Sequence, residues 1–101
     1  TTGKFSFPRF SKIKKTVSDY YDIEIESLSH KIRTKEIAHA RQVAMFLARD
    51  LTHFSLPKIG ESFGNRDHTT VMHACDKIGG ELNKNADLRS ALNQIKLILV
   101  E

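Results

Sequence analysis

Between residues 67 and 77 the chain sets out a row of side chains suited to hydrogen bonding rather than to bond breaking. Asp67, His68, Thr69 and Thr70 are consecutive, and His73 and Lys77 follow Thr69 at helical-turn spacing. Hydroxyls and imidazole nitrogens can donate to or accept from a base edge, and a threonine methyl can lie against the C5 methyl of thymine. The same residues suit metal chemistry poorly. His68 and His73 are five apart, not the four that would put two imidazoles on one helical face for zinc. Cys75 falls on the apolar side of the same helix, where a structural thiol is expected rather than a nucleophile. It is the single cysteine, so neither an internal disulfide nor a Cys-rich zinc site is expected. The chain has no G-x-x-x-x-G-K-[ST] phosphate loop, so it is expected to hydrolyse no nucleotide and to hold no catalytic or metal residue.

Two helices must position this row. In the second, Val71, Ala74, Cys75, Ile78 and Leu82 share one face, while Thr69, His73 and Lys77 lie opposite. Thr70 sits on the flank beside Lys77, His68 is in the first turn, and Asp67 is placed to cap the start. Gly79 and Gly80 interrupt the pattern, and two interior glycines cost about 2 kcal/mol relative to alanine. Either the helix ends near Ile78 or burial of Leu82 carries it on. The first helix begins at Ser55-Leu56-Pro57, a Ser cap with Pro in the first turn, buries Ile59 and Phe63, and ends at Gly64. Two helices joined by a tight turn at Gly64–Arg66 form a helix-turn-helix pattern, whose second helix enters the DNA major groove. On face geometry alone, an ordinary solvent-facing helix with a good cap fits equally well.

The rest of the chain reads as helix too. Residues 1–10, with Phe5, Phe7, Phe10 and Pro8, read as a linker or leader, and 11–101 as one domain. Ser11 is a cap for a helix carrying Ile13, Val17, Tyr20 and Tyr21. A short helical piece is expected around Leu28. Thr34 caps a long helix whose apolar stripe is Ile37, Ala40, Ala44, Leu47 and Leu51, and a last helix aligns Leu88, Leu92, Ile95 and Leu99. The fold class is therefore all-α, a helix-turn-helix domain of about five to six helices.

Charge narrows the partner. The formal net charge is +4, from 16 basic and 12 acidic residues. The excess lies in the first fifteen residues and in 31–49, where Lys31, Arg33, Lys35, Arg41 and Arg49 face only Glu36. Such a distribution allows a polyanionic partner without requiring one. No apolar run approaches the roughly 20 residues of a membrane span, and no apolar signal core opens the chain. A cytoplasmic location is expected.

The literal string goes further. Phe63-Gly64-Asn65-Arg66-Asp67-His68-Thr69-Thr70-Val71-Met72-His73-Ala74 resembles the signature of the C-terminal DNA-binding domain of DnaA, the bacterial chromosomal replication initiator family, which reads close to F-G-G-R-D-H-T-T-V-x-H-A. Ser55-Leu56-Pro57-Lys58-Ile59-Gly60 is similar to that family's S-L-P-x-I-G, and the segment Ala38 to Met45, with the basic loop Lys31 to Lys35 before its helix, is similar as well. Asn65 replaces the usual second Gly, and Asn also tolerates left-handed backbone angles. Ala40 stands where Pro is common.

The resemblance implies recognition of a short, asymmetric DnaA box of the type TTATNCACA by one protein copy on double-stranded DNA. It implies base contacts from Asp67, His68, Thr69 and Thr70 in the major groove and from Arg33 in the adjacent minor groove. It implies backbone or groove-rim contacts from Lys35, Arg41, Gln42, Arg49, Leu56, Pro57, Arg66, His73 and Lys77. The rest of the initiator is the implied protein partner. ATP is expected only on its separate AAA+ domain, with no cofactor in this chain. A pure protein-interaction domain is the competing reading, but it gives no reason for a basic loop beside a capped His-Thr-Thr helix.

Overall fold

The computed structural model describes residues 9–30 and 34–100. The elements run α1 (Phe10–Tyr21), a single 3-10 turn (Ile25–Leu28), α2 (Lys35–Leu51), α3 (Leu56–Ser62), α4 (His68–Leu82) and α5 (Ala86–Leu99). No strand forms among the described residues, and the all-α expectation holds.

One core joins all of the helices. Ile13 and Val17 of α1, Val43, Met45 and Leu47 of α2, Ile59 of α3, Val71 and Ile78 of α4, and Ile95 of α5 are each at most 1% exposed. Phe63, at the end of α3, is also fully buried. Burying a side chain of this size contributes about 1.5–3 kcal/mol, so the 3.6-residue stripes of the sequence become the packing faces. The middle helix α2 carries most of the contact: α1 packs on it from one direction and α4 from another. Helix α5 closes the bundle against α1 and α4. An Asp50–Lys96 ion pair of 2.9 Å ties it to α2, and Lys12 Nζ donates to the Leu99 carbonyl at 3.3 Å.

Two details of the ends differ from expectation. Helix α1 starts at Phe10 with Arg9 in the cap position, and no side chain caps it; Ser11 lies inside the first turn. The Phe10 ring stacks on Phe54 with centroids 4.2 Å apart and meets Phe63 edge-on at 6.5 Å. Aromatic packing, rather than a hydroxyl cap, holds this end. Thr34 does occupy the cap position of α2, again without a side-chain cap bond.

The open question about Gly79 and Gly80 resolves toward a continuous helix. Helix α4 runs through both to Leu82, which packs half-buried against the core. Arg89 Nη1 then takes the Leu82 carbonyl at 2.6 Å, so the helix end has a cationic partner. Asn85 caps α5, its side-chain oxygen accepting from Leu88 N–H at 3.0 Å.

Candidate nucleic-acid interface

The interface is built on α3, the turn and α4. Ser55 Oγ accepts from Lys58 N–H at 3.3 Å, and Pro57 occupies the first turn of α3, where its missing N–H costs nothing. Gly64 has φ +85° and Asn65 φ 57°, so two successive left-handed residues reverse the chain. Arg66 N–H donates to the Gly60 carbonyl at 2.8 Å. A Cβ on Gly60 would overlap the Arg66 carbonyl oxygen, and one on Gly64 would overlap the Ser29 carbonyl oxygen. The turn is therefore packed backbone to backbone, against both α3 and the end of the 3-10 turn.

Asp67 caps α4 as its place in the sequence predicts. Its Oδ2 accepts from Thr69 N–H at 3.0 Å and from the Thr69 hydroxyl, and its Oδ1 lies 3.7 Å from His68 Nδ1. The Thr69 hydroxyl bond, then the Thr69 main-chain bond and the nearby His68, hold this carboxyl below the usual carboxylate range although it is exposed. His68, Thr69, Thr70, His73 and Lys77 are all exposed along α4; Thr69, His73 and Lys77 lie opposite the buried Val71, Ala74 and Ile78, Thr70 on the flank, and His68 at the open first turn. Lys77 pairs loosely with Glu81 at 3.9 Å.

Between α2 and α4 runs a groove of about 240 Å³ that gathers six of the expected residues: Arg41, Gln42, Arg66, Thr70, His73 and Lys77. Its floor is small or flexible, with Ala38, Met45 and Ala74. Three of the six are basic, so the groove carries the sign that a phosphate strand requires. A larger depression of about 380 Å³ lies at the α4–α5 turn, but Glu81 and Asp87 among its lining residues give it the wrong charge for a polyanion.

The remaining expected residues flank this groove. Lys35 is exposed in the first turn of α2. Leu56 is half-buried and Pro57 exposed at the start of α3. Arg49 is exposed near the end of α2, with Nη1 donating to the Phe54 carbonyl at 3.3 Å. Arg33 lies outside the described residues, with Lys31 and Ile32. Cys75, half-buried, sits 3.9 Å from the Met45 carbonyl, and burial raises its thiol pKa, as a packing thiol requires.

Arg41 and Arg66 are the surprise. Arg41 donates from Nε to the Leu28 carbonyl at 3.1 Å and from Nη2 to the Ser27 and His30 carbonyls at 3.4 and 2.9 Å. Arg66 donates from Nη1 to the Phe63 carbonyl and from Nη2 to the same His30 carbonyl at 2.9 Å. Burial lowers both guanidinium pKa values, and the charge of Arg66 lowers that of Arg41 further. No sequence pattern marks the acceptors, because all of them are main-chain oxygens. Lys14 is similar: half-buried, it donates to the Ser62 carbonyl and lies 4.8 Å from the centre of the Phe63 ring. Part of the basic excess in the first fifteen residues thus caps α3.

A capped, exposed polar helix set by a tight turn, beside a basic groove, defines a DNA-binding helix-turn-helix domain. Residues 10–78 match the family model described as the bacterial dnaA protein helix-turn-helix. Over 91 residues, 90% of the chain, it is 44% identical to the chromosomal replication initiator protein DnaA of Lactobacillus delbrueckii subsp. bulgaricus and 47% identical to that of Lactobacillus johnsonii. The chain belongs to the bacterial DnaA helix-turn-helix family. It spans 20% of the length of each of these relatives.

Proposed function

We propose that this domain binds double-stranded DNA at DnaA boxes of the replication origin, one copy per box, with α4 in the major groove and the basic loop in the adjacent minor groove. The observation that carries the reading is the convergence of Arg41, Gln42, Arg66, Thr70, His73 and Lys77 on one groove beside the exposed start of α4.

The chemistry assigns the roles. His68, Thr69 and Thr70 meet base edges from the first turn of α4, where a helix entering the major groove presents its N-terminal residues. Asp67 both caps α4 and is placed to accept from a base amino group. Arg33 reads the minor groove, whose narrow A·T form attracts guanidinium. Lys35, Gln42, Arg49, His73 and Lys77, with the Leu56-Pro57 main chain, meet phosphates or the groove rim. The domain is a reader rather than an enzyme and needs no cofactor of its own. ATP binding belongs to a separate domain of the initiator, which is its protein partner, and the working location is the cytoplasm on the nucleoid.

A double-mutant cycle tests this reading. Thr69→Ala and Arg33→Ala are titrated against boxes substituted one base pair at a time. Thr69→Ala should cost about 1–3 kcal/mol on the intact box and relax discrimination at one major-groove position. Arg33→Ala should weaken binding to A·T-rich flanks and leave that position untouched, with the two costs adding within about 0.5 kcal/mol. Relaxation at the same base pair by both would contradict the two-groove arrangement.

A further inference from the structure

We propose that Arg41 and Arg66 act as positioning residues, jointly clamping the His30 carbonyl so that the chain entering the basic loop is held in fixed register with the helix-turn-helix turn. The inference rests on the DNA-reading assignment above and adds a device to it.

The geometry begins with the 3-10 turn. A helix end leaves carbonyls without intrahelical donors, and cations are favoured there. In this chain the Leu28 carbonyl ends the 3-10 turn and the His30 carbonyl lies two residues beyond it, and Arg41 spans both from α2 while also reaching the Ser27 carbonyl, which already accepts from His30 N–H at 3.4 Å. Arg66 reaches the same His30 oxygen from the other side, across 36 residues of sequence, while Nη1 holds the Phe63 carbonyl at the end of α3. One oxygen therefore joins three segments: the 3-10 turn, α2 and the turn before α4. Gly64 seals the joint, because its missing Cβ lets the Ser29 carbonyl rest against the turn.

Two guanidiniums on one carbonyl repel each other, and solvent-facing arginines whose only task was to meet phosphate would not need to be brought together. A guanidinium holds five N–H groups in a fixed plane and so fixes several carbonyls relative to one another; an ammonium has three donors on a flexible stem and imposes no such geometry. The next residue after His30 is Lys31, so the clamp fixes where the basic loop departs relative to α4. Minor-groove and major-groove reading then have a set spacing.

Lysine substitution separates this role from phosphate contact, since lysine keeps the charge. Arg41→Lys and Arg66→Lys are made in the 101-residue chain and measured in two arms. In the free protein, amide ¹⁵N relaxation should show increased motion at Ser29, His30 and Thr34, with the α4 amides unchanged. On DNA, the preference for an A·T-rich flank over a G·C-substituted one should fall at least about fivefold, while preference at the Thr69-contacted pair stays within twofold and the log K against log salt slope is unchanged. Unchanged relaxation together with retained flank preference would overturn the clamp and leave both arginines as phosphate contacts. A melting curve identifies a variant that fails to fold; the same two arms are then read on the other arginine. The relaxation arm contains no DNA, so its result is independent of whether the unmodified chain prefers box over scrambled duplex, which alone decides the DNA-reading assignment.

Discussion

Thr69 donates its hydroxyl to the carboxylate of Asp67, the residue that also takes its main-chain N–H at 3.0 Å. The hydroxyl hydrogen is thereby committed within the protein. What Thr69 offers a base pair is its methyl group and an oxygen lone pair, and a thymine C5 methyl is the natural partner of the first. Thr69→Ser should then bind the intact box about 3- to 10-fold more weakly, the worth of one buried methyl. Replacing the contacted thymine by uracil should weaken the parent by a similar factor and leave the serine variant unaffected. A serine variant that still senses the thymine methyl would contradict this contact.

The turn glycines should respond in opposite ways to alanine from those inside α4. Gly64→Ala meets both a φ of +85° and the Ser29 carbonyl, and should destabilise the domain by about 2 kcal/mol or more. Nothing lies within 4 Å of a Cβ added at Gly80, in a helical segment, so Gly80→Ala should stabilise it by about 1 kcal/mol. Urea denaturation of the two variants reads both signs.

Acid should weaken the fold through His39. Its ring packs edge-on against Tyr21 at 5.6 Å, with Nε2 3.5 Å from the tyrosine hydroxyl. Burial lowers its pKa first, Lys77 lowers it further, and Glu81 opposes both. A histidine with a folded pKa below its unfolded value of about 6.5 is more readily protonated in the unfolded chain, so stability should fall as pH drops through that value. Urea midpoints at neutral pH and near pH 5 measure the loss, and His39→Gln should flatten it. Asp67 is shifted in the same direction but acts in a lower window: its depressed pKa makes its contribution fully present above about pH 4, and it is lost as pH falls further.

The clamp also predicts the salt response. Arg41 and Arg66 each hold two or more main-chain carbonyls, whereas Arg49 spends only Nη1 on one, so Arg33, Lys35, Arg49 and Lys77 remain as the cations assigned to DNA. Four such contacts give a log K against log salt slope of roughly −3.6. A slope of about −5 or steeper would return the two clamping arginines to phosphates.

Much of this was legible before the fold, for a physical reason. Helix faces and caps are local: the α2 stripe, the Ser55 and Asp67 caps and the left-handed Asn65 depend on residues within one or two turns. What the sequence concealed depends on distant partners. Phe10 joins α1 because Phe54, 44 positions away, supplies a ring to stack on. Helix α4 passes Gly79 and Gly80 because Leu82 is packed and Arg89 takes its carbonyl. Arg41 and Arg66 read as free cations in the string, since a main-chain acceptor has no letter of its own. The exposed row from His68 to Lys77 was readable because it is the complement of a buried stripe.

The central claim is specific recognition of a box by this chain, and equilibrium binding tests it most directly. Fluorescence anisotropy is recorded with a labelled duplex carrying a TTATNCACA-type box and with a scrambled duplex of equal composition, both at about 0.15 M salt. The account predicts box binding about 10³-fold tighter or more, the usual margin of specific over non-specific sites. Equal affinities for the two duplexes would contradict it.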